Sequence, residues 1–175
     1  MHKSLRQGTR SVLDHTPGVY ELMPGDVALG LAGDMLKTLL GSCVSVILTN
    51  PRRTVGAMCH IVHIGRPNAA NAGNTAYGIC AMEEMFGRLR DIGISHRFCQ
   101  AYVFGGGNMF PRHFKLHHVG ASNVNWVLDY LASHHIAVVD QCLGGMGYRK
   151  ISWTVGPTEP AVQVVVTKPG ILDDN

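Results

Sequence analysis

The first pattern in the chain is the alternation of short apolar runs with turn-forming residues, which is typical of β-strands. Residues 19–30 form two extended segments around Pro24 and Gly25, and this arrangement predicts a hairpin or meander. Residues 137–168 contain three further extended segments, separated by a glycine-rich turn and a proline-containing turn. Strands are therefore expected towards both ends of the chain.

A second hairpin is predicted between the apolar run of residues 43–48 and the extended run of residues 55–64. The turn between the two runs contains an Asn-Pro pair. Cys43 lies at the start of the first strand and His60 lies inside the second, so the hairpin brings both towards the same end of the ladder. His63 is the competing histidine, but in a regular strand its side chain points to the opposite face from His60.

Two segments show the three- and four-residue apolar spacing of amphipathic helices. The first, residues 74–93, has a candidate N-cap at Asn74 or Thr75 and closes on Gly93. The second covers residues 120–136, and its apolar face carries Val124, Val127, Leu128 and Leu131. The chain therefore combines helices and strands.

Composition limits the class of protein. A chain of 175 residues with 46% hydrophobic content is long enough for one domain with a substantial core. The 15 Lys and Arg residues exceed the 12 acidic residues by only three and are scattered, which argues against nucleic acid as a partner. No apolar run approaches the roughly 20 residues needed to cross a bilayer, and the start of the chain has no signal-peptide pattern. We expect a cytoplasmic protein without membrane insertion.

The expected organisation is a flexible or partner-ordered segment at residues 1–19, a folded domain at residues 20–168 and a tail at residues 169–175. The five cysteines form no closely spaced pair, and their odd number cannot pair completely, so reduced thiols are expected. The ten histidines supply only loose candidates for metal ligands. We therefore predict neither a metal nor another cofactor.

Cys43 is the strongest candidate for chemistry. Gly41 and Ser42 precede it and leave unhindered N–H groups near the sulfur, which can stabilise an oxyanion. A neighbouring imidazolium from His60 would lower the pKa of the thiol and supply a proton to a leaving group. The alternative is that Cys43 is a small buried hydrophobic residue and His60 a hydrogen-bonded structural histidine.

Cys43 and His60 stand in the first two of five motifs, which follow in the order LLGSCVSVIL, GAMCHIVH, YVFGGGNMF, VGASNV and GGMGYRKI. These motifs resemble the CheD family, the chemoreceptor glutamine deamidases of bacterial chemotaxis, and the resemblance extends from about residue 20 to 167. A histidine behind Gly-Ala-Met, 17 residues after the cysteine of Gly-Ser-Cys, makes the paired signature specific.

The resemblance implies a single-domain α/β sandwich of β-sheets flanked by helices, related to the folds of deamidating toxins. It also implies a papain-like use of Cys43 and His60, with a threonine before the cysteine orienting the histidine. The matching residue is Thr38, which lies one residue closer to Cys43 than the family pattern implies. Ser42 is the alternative for this role, although it is also a plausible turn residue.

The mechanism implied by the resemblance is attack of the Cys43 thiolate on a glutamine side chain of a methyl-accepting chemotaxis receptor. His60 protonates the departing ammonia and then activates water to hydrolyse the thioester, while N–H groups of Ser42 and Cys43 hold the oxyanion. The expected partners are cytoplasmic receptor helices and a CheC-type phosphatase. Some family members also hydrolyse receptor methyl esters. Two other interpretations stay open, a non-catalytic adaptor that regulates a CheC-type phosphatase and a general cysteine hydrolase of small amides.

A strand at residues 98–106 runs into the glycine-rich turn GGGNMF, which reads first as a turn that needs positive φ values. Its functional interpretation is contact with the substrate, and the candidates are Gly106, Gly107, Asn108 and Phe110. The turn GGMGYRK adds two basic candidates for contact with acidic receptor helices, Arg149 and Lys150.

Overall fold

The computed structural model describes residues 15–110 and 118–166, which form nine β-strands and two α-helices. The strands are β1 (Val19–Leu22), β2 (Val27–Leu31), β3 (Met35–Leu40), β4 (Val44–Thr49), β5 (Val55–Ile61), β6 (Gln100–Gly105), β7 (Val138–Leu143), β8 (Tyr148–Thr154) and β9 (Ala161–Val165). The helices are α1 (Gly78–Asp91) and α2 (Val119–Ser133).

The strands form two sheets. The small sheet has the order β1-β3-β8-β9, and the large sheet has the order β2-β5-β4-β6-β7. In the large sheet β4 pairs antiparallel with β5, which places Val44 opposite Ile61 and Ser45 opposite His60. The predicted hairpin of residues 43–64 is confirmed by this pairing.

The large sheet is the middle of three layers, and its side chains alternate between two cores. Val44, Val46 and Leu48 of β4 pack in a core with the helices, whereas Ile47 packs in the sandwich core between the two sheets. Every residue of β4 is buried because both faces of the sheet are covered. This double burial explains why the β4 sequence is almost continuously apolar.

The predicted hairpin at residues 19–30 is wrong. β1 pairs parallel with β3 in the small sheet, whereas β2 pairs antiparallel with β5 in the large sheet. A turn does form between the two strands, and its Asp26 side chain accepts a hydrogen bond from Met23 N at 2.8 Å. The chain therefore turns as predicted but crosses between sheets, because a turn sequence does not specify which partner each strand finds.

The first helix begins at Gly78, four residues later than predicted. Neither proposed N-cap acts at its start, because Thr75 donates to Gly25 O at 2.6 Å and Asn74 accepts from Ala76 N at 2.9 Å. The predicted end is confirmed, since Gly93 follows the helix with a φ of 81°. The second predicted helix corresponds to α2.

The described residues form one mixed α/β domain, as predicted. Residues 1–14 and 167–175, which include most of the predicted terminal segments, lie outside the described residues. His15 and Gly18 contact Asp34, with Gly18 N donating to Asp34 Oδ1 at 2.7 Å. The division into segments and the relationship to toxin folds stay predictions. None of the described helices has the length and apolar character to span a membrane.

Candidate functional site

Thr38 and His60 meet between the two sheets. Thr38 lies on β3 of the small sheet and His60 on β5 of the large sheet, and the Thr38 Oγ1 and His60 Nδ1 atoms are 2.9 Å apart. Thr38 Oγ1 also donates to Leu22 O at 2.8 Å. Because a hydroxyl carries only one proton, Thr38 must accept from the Nδ1–H of His60. In the neutral imidazole this leaves the lone pair on Nε2.

Cys43 shares the sheet face of His60. Ser45 lies directly opposite His60, and Cys43 precedes Ser45 by two residues, so Cys43 and His60 are diagonal neighbours across the β4–β5 ladder. Cys43 is half-buried against the sandwich core, whereas only 3% of His60 is exposed. Cys43 therefore keeps part of its surface exposed, while the imidazole of His60 is held inside.

Burial favours the uncharged form of both groups. It raises the pKa of the Cys43 thiol above its ordinary value. Burial also lowers the pKa of His60, against the opposing effects of the Leu22 carbonyl and the Asp26 charge. The sequence predicts that a neighbouring imidazolium lowers the pKa of the thiol, whereas burial shifts the pair towards a thiol and a neutral imidazole.

The cysteine turn (residues 41–43) connects β3 to β4, and all three of its carbonyls are hydrogen-bonded. The bonds run from Gly107 N to Gly41 O at 2.9 Å, from Asn123 Nδ2 to Ser42 O at 3.1 Å and from Gly106 N to Cys43 O at 2.9 Å. In a planar trans peptide the N–H points away from the preceding carbonyl. The turn therefore directs the N–H groups of Ser42 and Cys43 away from Gly107 and Asn123.

The glycine-rich turn after β6 packs directly on the cysteine turn. Gly105 and Gly106 have φ values of 113° and 67°, which agrees with the predicted need for positive φ. A Cβ on Gly106 would collide with the Gly120 carbonyl and with Val124 of α2. Gly106 therefore lets the backbone of the turn and α2 approach closely.

A cavity of about 590 Å³ opens on the helix side of the cysteine turn. Its wall includes Ser42 and three of the four proposed substrate contacts, Gly107, Asn108 and Phe110. Gly106 is not part of the wall, and neither Cys43 nor His60 lines the cavity. The cavity and the thiol therefore lie on different sides of the turn, and the substrate contacts stay a prediction.

His63, the competing histidine, lies just beyond the end of β5. Its ring packs on Tyr77 with a centroid separation of 4.9 Å, and it lines the cavity. The described residues contain no group of three or more His, Cys, Asp or Glu side chains arranged to hold a metal ion.

The proposed contact of Arg149 with acidic receptor helices is wrong. Arg149 is only 4% exposed, and its guanidinium donates to Cys142 Sγ at 3.3 Å and to the Gly144 carbonyl. It points inward because it faces Leu40 across the β3–β8 ladder, on the side of the sandwich core. Lys150, the next residue, is exposed.

The sequence interpretation missed Asn123. This residue lies on α2 with only 2% exposure, and its amide nitrogen contacts Ser42 O and Val62 O. The signal was present in the helical spacing, since Gly120, Asn123, Val127 and Leu131 share the buried face of α2. A polar residue on that face is informative because burial of an amide is costly without hydrogen bonds.

Comparisons with known proteins agree with the motifs. The family model described as CheD chemotactic sensory transduction matches residues 64–163. The probable chemoreceptor glutamine deamidase CheD 2 of Albidiferax ferrireducens is 36% identical over 138 residues, which cover 77% of this chain and 80% of that protein. CheD 3 of Dechloromonas aromatica, also named a probable chemoreceptor glutamine deamidase, is 37% identical with the same coverage. A similarly named CheD of Pseudomonas fluorescens is 33% identical over 74% of this chain and 75% of its own length. The chain belongs to the CheD family.

Proposed function

We propose that this protein deamidates glutamine side chains on the cytoplasmic helices of methyl-accepting chemotaxis receptors. The product is glutamate, which changes the signalling and adaptation of the receptor, and the protein acts in the cytoplasm. The names of the relatives support the reaction and the receptor as substrate. The observation that carries the catalytic assignment is the 2.9 Å contact between Thr38 and His60, on the sheet face that also carries Cys43.

Acylation begins with Cys43 as a thiol and His60 as a neutral base. His60 Nε2 removes the thiol proton as Sγ attacks the carboxamide carbon of the glutamine. The imidazolium then donates this proton to the departing nitrogen, the C–N bond breaks and ammonia leaves. A thioester between Cys43 and the receptor side chain remains.

Deacylation uses the same groups with water as the nucleophile. Neutral His60 removes a proton from water, the resulting hydroxide attacks the thioester carbon and the C–S bond breaks. The proton returns to Cys43, and the receptor carries a glutamate. Thr38 acts in both halves as a positioning residue, because its hydroxyl holds Nδ1 and leaves Nε2 for proton transfer.

Each tetrahedral intermediate carries an oxyanion, for which the N–H groups of Ser42 and Cys43 are the proposed donors. This assignment is supported by the orientation of the cysteine turn, because its carbonyl oxygens accept hydrogen bonds on the side opposite to these N–H groups. The proposal is confined to deamidation, since no observation favours methyl ester hydrolysis or regulation of a CheC-type phosphatase.

The test is mass spectrometry of a receptor cytoplasmic fragment after incubation with wild-type protein, Cys43→Ala or His60→Ala. Conversion of an amide to an acid adds about one dalton to the modified peptide. Cys80→Ala is the matched control, because Cys80 is also half-buried but lies on α1.

The expected result is a mass gain with wild type and Cys80→Ala, and none with Cys43→Ala or His60→Ala. A receptor left unchanged by the wild-type protein would contradict the proposed function. A mass gain that persists with the Cys43→Ala variant would exclude Cys43 as the nucleophile.

A further inference from the structure

We infer that Asn123 is a further positioning residue for the reaction, which acts by fixing the peptide between Ser42 and Cys43 and tying the cysteine turn to the histidine strand. This inference deepens the proposed function and rests on it. Asn123 makes two hydrogen bonds through one side chain, and their acceptors lie on the two segments that carry Cys43 and His60.

The amide nitrogen of Asn123 is the donor in both hydrogen bonds. Asn123 Nδ2 lies 3.1 Å from Ser42 O and 3.4 Å from Val62 O. Both partners are backbone carbonyls, which only accept hydrogen bonds, so the nitrogen of the carboxamide and not its oxygen faces them. The two N–H bonds of one NH2 group point in different directions, and each can serve one carbonyl.

The two acceptor carbonyls lie on different segments of the chain. Ser42 belongs to the cysteine turn, and Val62 follows β5 two residues after His60. Since Val44 is opposite Ile61, Val62 continues β5 beside Cys43, where the regular ladder ends. Val62 N turns away and bonds Ala76 O at 2.9 Å. Asn123 therefore links Ser42, which precedes Cys43, to Val62, two residues after His60, at a point that the β4–β5 pairing does not reach.

The bond from Asn123 to Ser42 O also fixes the direction of the Cys43 N–H, the proposed oxyanion donor. The Ser42 carbonyl and the Cys43 N–H belong to the same planar peptide and point in opposite directions. Asn123 holds the Ser42 carbonyl on the helix side of the turn. The Cys43 N–H therefore faces away from α2, towards the sandwich core on which the Cys43 side chain packs. Loss of Asn123 frees this peptide to rotate and leaves the partly buried Ser42 carbonyl without its side-chain donor.

The experiment compares Asn123→Ala with Asn125→Ala, an exposed asparagine on the same helix. Asn123→Ser, which keeps one short donor, is the second variant, and thermal unfolding establishes that each variant is folded. Three properties are measured for each protein: kcat and KM on a receptor fragment, alkylation of Cys43 by iodoacetamide, and protection of Cys43 by a peptide aldehyde.

The aldehyde isolates the role of the oxyanion donors. Its carbonyl replaces the glutamine carboxamide, so Cys43 Sγ forms a bond to the carbonyl carbon, the C=O π bond breaks and the thiol proton moves to oxygen. The oxygen of the resulting hemithioacetal can accept hydrogen bonds from the donors of the cysteine turn, whereas substitution at the saturated carbon of iodoacetamide places no oxygen against them.

Asn123→Ala is expected to lower kcat at least about tenfold and weaken aldehyde protection about tenfold, with KM and alkylation within about twofold of wild type. Asn123→Ser is expected to be intermediate, and Asn125→Ala unchanged. Unchanged kcat and aldehyde protection in Asn123→Ala, or equal losses in alkylation and aldehyde protection, would overturn the inference.

The two proposals fail in different ways. A wild-type protein that forms the hemithioacetal but leaves receptor glutamines unchanged contradicts receptor deamidation, and the aldehyde assay then still decides the role of Asn123. If the aldehyde fails to protect Cys43 in the wild-type protein, the inference that Asn123 positions an oxyanion donor is overturned.

Discussion

Thr38 and His60 lie 22 residues apart in the chain and in different sheets, yet Thr38 Oγ1 and His60 Nδ1 are 2.9 Å apart. Their contact crosses the sandwich, so the orientation of the imidazole depends on how the two sheets pack. Thr38 is itself held by the Leu22 carbonyl of the neighbouring strand. The imidazole is thereby coupled to the small sheet through one hydroxyl.

Thr38→Val is expected to lower kcat for receptor deamidation about tenfold to hundredfold. Valine has a similar shape but leaves the buried Nδ1–H of His60 without its acceptor, and such a loss costs about 1–3 kcal/mol. Mass spectrometry of the receptor fragment over time measures the rate. Thr38→Ser keeps the hydroxyl and should retain most of the activity. Equal rates for Thr38→Val and wild type would exclude Thr38 from the mechanism.

The acid limb of kcat/KM is expected to have its midpoint below pH 6.5. Burial lowers the pKa of His60, and the reaction needs the neutral imidazole of the free enzyme. Asp26→Asn should shift the limb to still lower pH, because the Asp26 charge raises the pKa of His60. Asparagine retains an acceptor for the Met23 N–H.

Asp91→Asn is the control for this shift, because Asp91 is exposed at the end of α1. Deamidation rates from pH 5 to 8 give the profiles. An acid limb above pH 6.5, or a shift to higher pH in Asp26→Asn, would contradict the assignment of His60 as the base.

The free energy of unfolding is expected to fall with decreasing pH below about 6.5, and to fall less steeply in His60→Gln. The pKa of His60 is lowered in the folded protein, so the unfolded chain binds more protons in this range and acid favours unfolding. Burial also lowers the pKa of His96, but this effect is common to both proteins. Urea unfolding at several pH values measures the two curves, and parallel curves would argue against a desolvated His60.

Gly120→Ala is expected to destabilise the fold by about 1–3 kcal/mol and to reduce deamidation as well. A Cβ at this position would collide with the carbonyls of Gly106 and Gly107 and push α2 away from the cysteine turn. Gly87→Ala is the matched control, since its Cβ would meet only Arg90 at 3.8 Å. It should stabilise α1 by up to about 1 kcal/mol, as alanine does in a helix interior. Equal stabilities for both variants would contradict the close packing of α2.

The β4–β5 hairpin could be predicted because its information is local. Two apolar runs flank a short turn, and the antiparallel register then brings Cys43 and His60 to one face and one end of the ladder. The same reasoning failed for residues 19–30, where β1 and β2 join different sheets. The partner of β1 is the second strand after it and the partner of β2 is the third strand after it, and turn residues contain no information about either.

The contributions of Thr38 and Asn123 are harder to predict because they depend on the packing of layers. Thr38 was identified by family resemblance alone, since its contact with His60 crosses between sheets. Asn123 stands on the buried face of α2, but its partners became evident only when the helix was placed against the cysteine turn. Periodicity identifies a buried face without identifying what covers it.

The crossover from β3 to β4 also bears on how this site can vary among relatives. Thr38 belongs to the small sheet and Cys43 precedes the large one, so the intervening residues span the gap between layers. A relative can lengthen this crossover by one residue and keep the same chemistry, provided that the hydroxyl stays on an inward-facing position of its strand. The geometry of the site therefore depends on the inward-facing position of each residue on its own strand, and not on the number of residues between Thr38 and Cys43.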